Sequence, residues 1–351
     1  MKHVFITGAT GFIGRYIAEE FVENGWAVTA LVHKQKSDEL ETLAQAGKLD
    51  YVNGDVGDFE SLRGALLAGS KEFDVIVHCA GRASDVGWRR EFRRTNYQSV
   101  QHLVKLTQDL DVGRLVFVST TDVYGLLDFK GESEDELALK SHPRNPYPEF
   151  KILAEQHIRN HLPKDRYAIL RPAQVWGVGD TTLTPRIVDF LRGSPWIVHF
   201  GKWRGTNRWP LAHVRNVATA AYLAATLSQA AGQAINVVDS EHVTMDEFCR
   251  VLARIYLPQK DFKTITLPFW MGRMVGSVVT CVSCLFNLNR PFMDPSLYAL
   301  YAVSCNLDFS NQKLQELFRI ADKALRTVEQ GIDELEQESQ GFEPYSNVDR
   351  F

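Results

Sequence analysis

The first fourteen residues constrain the fold more than any other stretch. Val4-Phe5-Ile6 is an apolar, β-prone run that enters Thr7-Gly8-Ala9-Thr10-Gly11-Phe12-Ile13-Gly14, and an amphipathic stretch from Arg15 to Val22 follows. The order is strand, glycine-rich turn, helix. Glycines let the backbone turn tightly and approach a pyrophosphate, and the helix N-terminus offers its free N–H groups to that anion. The spacing is Gly-x-x-Gly-x-x-Gly, not the commoner Gly-x-Gly-x-x-Gly. The competing reading is a turn whose glycines serve only close packing of helix on strand.

The same alternation continues. Gly25–Val32, Leu49–Val52, Asp74–Cys79, Leu115–Val118 and Tyr167–Leu170 read as strands with helical stretches between them. Strands alternating with helices predict an α/β fold with a doubly wound parallel sheet, whose ligands sit beyond the strand C-termini. After Pro172 the pattern weakens, and residues 173–210 are rich in Gly, Pro, Trp and Arg. Helical and strand patterns return at Val214–Ala225 and Ala234–Val238. The expected organisation is a nucleotide-binding domain over 1–172 with return elements near 211–239, a smaller C-terminal substrate lobe from 173–210 and 240–340, and a polar tail at 341–351.

A net charge of −4 over 351 residues gives no reason to expect a nucleic-acid partner. Five scattered cysteines suit a reducing cytoplasm better than a disulfide framework, and no signal peptide is expected ahead of the first strand. No His, Cys and carboxylate cluster has metal spacing, so no metal is expected. Met274–Leu288 is the most apolar stretch and is shorter than the roughly 20 residues of a bilayer span. It predicts a buried or lipid-facing helix, the lipid alternative being peripheral membrane contact through 267–288. Cys281 and Cys284 inside it are expected to pack in a core.

Tyr147 and Lys151 stand four apart, on one face of any helix that holds them. A cation beside a phenol favours the phenolate and lowers its pKa from about 10, which makes Tyr147 a usable proton donor and acceptor. Pro148 is tolerated in a first helical turn. Tyr256 and Lys260 repeat the spacing without a hydroxyl-bearing strand end upstream, and are read as chance. Ser119-Thr120-Thr121 ends the Leu115–Val118 strand, where a hydroxyl can hold a substrate oxygen while Tyr147 moves the proton. The bland reading is that these hydroxyls cap the following turn.

With these motifs in order, the chain resembles an extended short-chain dehydrogenase/reductase over nearly its whole length. The resemblance implies a Rossmann domain with Gly8, Thr10, Gly11, Phe12, Ile13 and Gly14 around the pyrophosphate. It makes Asp55 the adenine-contacting aspartate, next to Val56, and has Ala80 and Gly81 line the cofactor. Asn96 takes the place of a structural asparagine. Thr120, Tyr147 and Lys151 match the catalytic set, and Ser119 and Pro172 fall beside the cofactor. Within the family the chain looks most like the 3β-hydroxysteroid dehydrogenase type, which includes sterol-decarboxylating dehydrogenases and reductases of long-chain 2-alkyl-3-oxo acids. The stretches that suggest this are Arg171–Gly177, Leu267–Leu288 and Asp308–Leu317. The chain departs from the family pattern in Pro-Glu-Phe after Tyr147 and in Arg215 before Asn216. A homodimer is the usual assembly of such proteins.

The second strand ends in Val32, then His33 and Lys34, where a carboxylate would favour NAD by bonding the ribose hydroxyls. A cation there would welcome a 2′-phosphate, so NADP is expected, with NAD the alternative. Ser84, Trp88, Trp176 and Arg186 are the substrate candidates. Arg204 and Arg208 are further candidates for an anionic group, and the run Trp88–Arg94 is read as a solvated helix face. The expected activity is interconversion of a secondary alcohol and a ketone on a small apolar substrate, of steroid or long-chain lipid type. A nucleotide-sugar epimerase or dehydratase with tightly held NAD uses the same residues, and a non-catalytic NAD(P)-binding sensor is the third alternative.

Overall fold

Seven strands join in one parallel sheet, and its order explains where everything else lies. The computed structural model describes residues 1–33, 37–68, 72–140, 143 and 145–341. The first domain opens with β1 (His3–Thr7), α1 (Phe12–Glu23), β2 (Ala27–Val32), α2 (Asp38–Gln45), β3 (Leu49–Asn53), α3 (Phe59–Leu67) and β4 (Val75–His78). It continues through α4 (Arg89–Phe92), α5 (Ser99–Asp109), β5 (Arg114–Val118), α6 (Pro146–His161) and β6 (Tyr167–Pro172). A π-helical stretch at Arg93–Gln98 joins α4 to α5. After β7 (Gln174–Trp176), α7 (Leu183–Gly193), β8 (Trp196–Phe200) and β9 (Leu211–His213), the chain returns as α8 (Val214–Thr226) and β10 (Ala234–Val237). The remainder is α9 (Met245–Tyr256), β11 (Lys263–Leu267), α10 (Phe269–Leu285), α11 (Leu297–Ser304), α12 (Gln312–Ile320) and α13 (Val328–Gly341).

The sheet order is β10-β6-β5-β4-β1-β2-β3. Its strands are nearly continuous apolar runs because both faces are covered. Helices α1 and α8 pack on one face, through residues such as Ile17, Phe21, Val217 and Ala221. Helices α3, α5 and α6 cover the other, through Leu62, Leu103, Ala154 and Ile158. The winding reverses between β1 and β4, which pair directly. That is the switch point at which an open α/β sheet leaves a crevice. The glycine turn after β1 and Ala80-Gly81 after β4 both open onto it.

The second lobe has its own core of Trp176, Leu191, Trp209, Phe248 and Leu252, to which α13 adds Val328 and Leu335. Its membership differs from expectation at α12 and at Leu307 and Phe309, which pack with Val123, Tyr124 and Ile152 of the first domain. Helix α12 buries Leu314, Leu317 and Phe318 in the first domain's core, against α8 and β10. A short amphipathic helix carries no mark of which sheet it will meet. Of the expected tail, Gly341 ends α13 and residues 342–351 lie outside the described residues.

Candidate active site at the sheet switch point

The glycine turn is sterically locked. Gly8 has φ +75°, and a Cβ there would lie 2.6 Å from the Ala80 nitrogen. A Cβ on Gly14 would lie 2.0 Å from the Gly8 oxygen. Packing and ligand approach therefore make the same demand on this turn. Gly11 is the N-cap of α1 and supplies no side-chain acceptor, and the first turn holds no acidic residue. With Thr10, Phe12 and Ile13 beside it, the helix end keeps free N–H groups and a positive dipole end for an anion. A dinucleotide pyrophosphate fits such a cradle.

Across the crevice, Asn96 is fully buried. Its amide accepts from the Arg82 nitrogen at 2.7 Å and donates to the Arg82 carbonyl at 2.9 Å. That clamp fixes the chain after β4, as the structural asparagine should. A Cβ on Gly81 would lie 3.1 Å from the Asn96 amide oxygen and 3.5 Å from the Lys151 ammonium, so Gly81 leaves the lysine room.

Tyr147 and Lys151 sit in the first two turns of α6. Asn145 caps this helix by accepting the Tyr147 N–H at 2.7 Å, and Pro146 starts it. Lys151 is 4% exposed and donates to the Val118 carbonyl at 2.7 Å, at the end of β5. Burial lowers its pKa to about 8, against the Cys79 and Glu155 charges. Burial raises the Tyr147 pKa well above the usual 10, and the Asp122 and Cys79 charges add to this, while a bond with Thr120 opposes it. The expected depression of the phenol by its lysine is not found. Burial outweighs the cation, whose ammonium is turned to a backbone carbonyl.

Thr120 is placed between the turn that follows β5 and Tyr147. It caps the 3₁₀ turn Thr121–Tyr124 by accepting the Asp122 N–H at 3.2 Å, and it bonds Tyr147. Ser119 is committed elsewhere: its hydroxyl donates to Glu155 at 2.6 Å, and Glu155 is also paired with Arg171. Asp55 keeps its carboxyl below the usual range despite desolvation, through the Gly57 N–H and the Arg94 guanidinium. Val56 accepts a bond from His102, Pro172 is buried at the end of β6, and His33 is exposed at the end of β2. Lys34 lies outside the described residues.

The substrate candidates fare less well. Trp176 is fully buried and its Nε1 donates to Asp239 at 2.9 Å, so it belongs to the second lobe's core and does not line a mouth. Arg186 is held by both Asp85 and Asp294, which leaves it no free charge for a substrate. Ser84 and Trp88 follow β4 in the chain, with donors committed to the carbonyls of Asn289 and Cys284. Arg208 is paired with Asp308. In the run after Trp88, Arg89 pairs with Glu149 and Arg94 with Asp55, so these arginines are more than a solvated face. The Tyr256/Lys260 spacing is no site: α9 ends at Tyr256, and Lys260 donates to the carbonyls of Leu191 and Arg192.

Two groups at the site escaped the sequence reading. Asp122 is half-buried and its pKa is raised, chiefly by desolvation, with the Asp85 charge adding. Tyr298, from α11 of the other lobe, donates to Asp122 at 2.7 Å. Asp122 stands two residues past Thr120, a local signal that could have flagged it. Tyr298 lies in an apolar helix 176 residues from its partner, with nothing local to mark it.

The sequence profile described as the NAD dependent epimerase/dehydratase family matches residues 4–237. A 4-hydroxy-2-methyl-3-oxo-4-farnesyl-3,4-dihydroquinoline-1-oxide ketoreductase of Stigmatella aurantiaca is 26% identical over 341 residues, spanning 95% of each chain. A mouse (Mus musculus) sterol-4-alpha-carboxylate 3-dehydrogenase, decarboxylating, is 25% identical over 349 residues, 96% of this chain and 90% of that one. Among solved structures, the dTDP-glucose 4,6-dehydratase of Bacillus anthracis in complex with NAD superposes with a TM-score of 0.71 at 18% identity, covering 97% of each chain. The chain belongs to the NAD dependent epimerase/dehydratase family, as an NAD(P)-dependent oxidoreductase of the extended short-chain dehydrogenase/reductase type.

Proposed function

We propose that this enzyme interconverts a ketone and a secondary alcohol on an apolar substrate of sterol or long-chain 3-oxo lipid type, with NADP(H). The observation that carries this reading is the half-buried Tyr147, bonded to Thr120 and one helical turn from the buried Lys151, at the switch point. A phenol held in its acid form suits proton donation to a carbonyl oxygen. When bound, the nicotinamide supplies the hydride. Tyr147 gives its proton to the oxygen as the carbonyl carbon is reduced, and takes it back in the oxidation direction. Thr120 holds that oxygen against Tyr147. Lys151, buried and cationic below its pKa of about 8, stabilises the phenolate that Tyr147 becomes.

NADP is favoured because β2 ends at Val32 with no carboxylate there, and His33 follows it. The apolar substrate is favoured by the neutralisation of Arg186 and Arg208, two of the candidate cations for a diphosphate. The relatives point the same way, since 2-alkyl-3-oxoalkanoate reductases are 26–27% identical. The test is absorbance at 340 nm with NADPH and NADH, across 3-oxo steroids and 2-alkyl-3-oxo acids. Absorbance should fall, faster with NADPH, and the fall should vanish in Tyr147→Phe. Full turnover by Tyr147→Phe would overturn the assignment. A flat signal with every apolar ketone, beside conversion of a sugar nucleotide, would establish the epimerase or dehydratase alternative.

A further inference from the structure

Helix α10 is built inside out. Its inward face consists of Gly272, Gly276, Val279 and Ser283, all buried. A Cβ on Gly276 would lie 3.1 Å from the Leu297 backbone, so α10 meets α11 at close range through small residues. The large apolar side chains Trp270, Met271, Met274, Val275, Val278 and Leu285 fall on the opposite face and are exposed, Trp270 at 61% and Met274 at 64%. Phe286, Phe292 and Met293 in the following loop extend the patch. The expectation that Cys281 packs in a core fails with the same geometry: it is exposed, on the apolar face. Small residues against protein and large ones outward is the arrangement helices adopt where lipid is the solvent. A patch of this extent on a chain otherwise in water marks an interaction surface.

Charge identifies the occupant. Residues 269–293 contain Arg273 and Arg290, both exposed, and no acidic residue, in a chain whose net charge is −4. A second copy docked symmetrically on this face would bring arginines toward arginines with no carboxylate between them. An anionic bilayer gives each arginine a phosphate and each apolar side chain a hydrocarbon partner. Among the described residues no helix is long and apolar enough to cross a membrane, so α10 would lie on the surface. We infer that α10 and the loop after it dock this enzyme on an anionic phospholipid bilayer.

The patch is mechanically tied to the active-site rim. Trp88 donates from its backbone to Asn287 at 3.0 Å and from its indole to Cys284 at 3.1 Å. Ser84 donates to Asn289 at 2.8 Å. Docking would therefore set the mouth of the crevice at the lipid boundary. That the site draws its ketone from the bilayer rests on the function proposed above; docking itself does not.

Flotation of the full chain with vesicles tests docking without any activity readout, so its failure is separate from failure of the proposed reaction. Wild type should float with phosphatidylglycerol/phosphatidylcholine vesicles and much less with phosphatidylcholine alone. The triple variant Trp270→Ser, Met274→Ser, Val278→Ser should lose roughly tenfold of the bound fraction. Its thermal midpoint should be unchanged, because these side chains are already in water. Arg273→Glu with Arg290→Glu should abolish the preference for anionic vesicles. Brominated lipid should quench part of the tryptophan emission in wild type and less in Trp270→Ser. Absence of flotation, equal flotation by the triple variant, or a wild-type dimer that the triple variant dissolves while vesicles bind nothing would each overturn the inference.

Discussion

The C-terminal edge of the sheet and the roof of second-lobe segments above it hold their side chains in place by different means. At the sheet edge, each functional group sits where its own strand or helix ends: Gly8 after β1, Gly81 after β4, Thr120 after β5, Tyr147 in the first turn of α6. Backbone periodicity places them, and neighbours in sequence cap them, as Asn145 caps α6. The roof is placed by side chains that reach across the chain. Arg186 grips Asp85 and Asp294, 101 and 108 residues away, Ser296 donates to Asp85 at 2.5 Å, and Tyr298 reaches Asp122. The first kind of order is local and built for chemistry. The second is long-range and built for closure. On this comparison the edge should carry rate, and the roof should carry stability.

Tyr147→Phe should produce the largest effect. Loss of the proton donor should lower kcat about 10³-fold, within the range of general acid catalysis, while the unfolding midpoint barely moves. Steady-state kinetics and a thermal melt on the same preparation check both halves. A roof variant with an equal loss of kcat would break the comparison.

Lys151→Met separates rate from stability at the edge itself. The folded-state pKa of about 8 lies below the ordinary 10.5, so above pH 8 the folded chain holds fewer protons than the unfolded one. Stability from this group therefore rises with pH from about 8 to 10.5 and is at its lowest below 8. Replacing the ammonium by an apolar chain of similar length should stabilise the protein by about 3 kcal/mol at neutral pH, while kcat falls. Denaturant melts at pH 7 and pH 10 test it: the gain should shrink at the higher pH.

Legibility follows the same division. The strands could be read because a sheet covered on both faces needs unbroken apolar runs, and Thr120, Tyr147 and Lys151 could be read because their spacing is local. Trp176 was misplaced because an aromatic in an irregular stretch looks the same whether it lines a pocket or fills a core. Its partner Asp239 lies 63 residues on. Arg186 was misplaced because the two carboxylates that neutralise it are remote. Apolar content misled for α10 in a more instructive way. Helix α8 is also apolar, and it buries nine residues, five of them alanines, against the sheet. Helix α10 is the more apolar to the eye, yet it turns its glycines inward and its bulk outward. Where the small residues lie decides which face a neighbour can approach, and apolar content alone does not carry that.

Arg186→Met tests the roof directly. It leaves Asp85 and Asp294 without their cation, and breaking one partner of a paired charge costs more than the pair contributes. The Arg186 side chain is 31% exposed, so the cost should be about 2 kcal/mol, less than for a fully buried pair. Denaturation midpoints measure it, and kcat on a soluble ketone should fall by less than tenfold. A thousandfold loss would make Arg186 part of the chemistry.

Tyr298→Phe makes the smallest and sharpest cut, because it removes one oxygen from a roof side chain that reaches Asp122, whose charge in turn acts on Tyr147. The phenol donates to Asp122, whose carboxylate is already disfavoured by burial and by the Asp85 charge. Losing that donor should cost about 1 kcal/mol of stability. It should also raise the Asp122 pKa further, since the bond from Tyr298 favours the carboxylate. Destabilisation should therefore be largest where Asp122 is ionised and should fade as acid protonates it, because a protonated carboxyl needs the donor less. Melts of wild type and variant from pH 5 to pH 8 should converge toward the acid end. If kcat instead fell as far as in Tyr147→Phe with stability unchanged, Tyr298 would belong to the proton path, and the roof would be chemistry as much as closure.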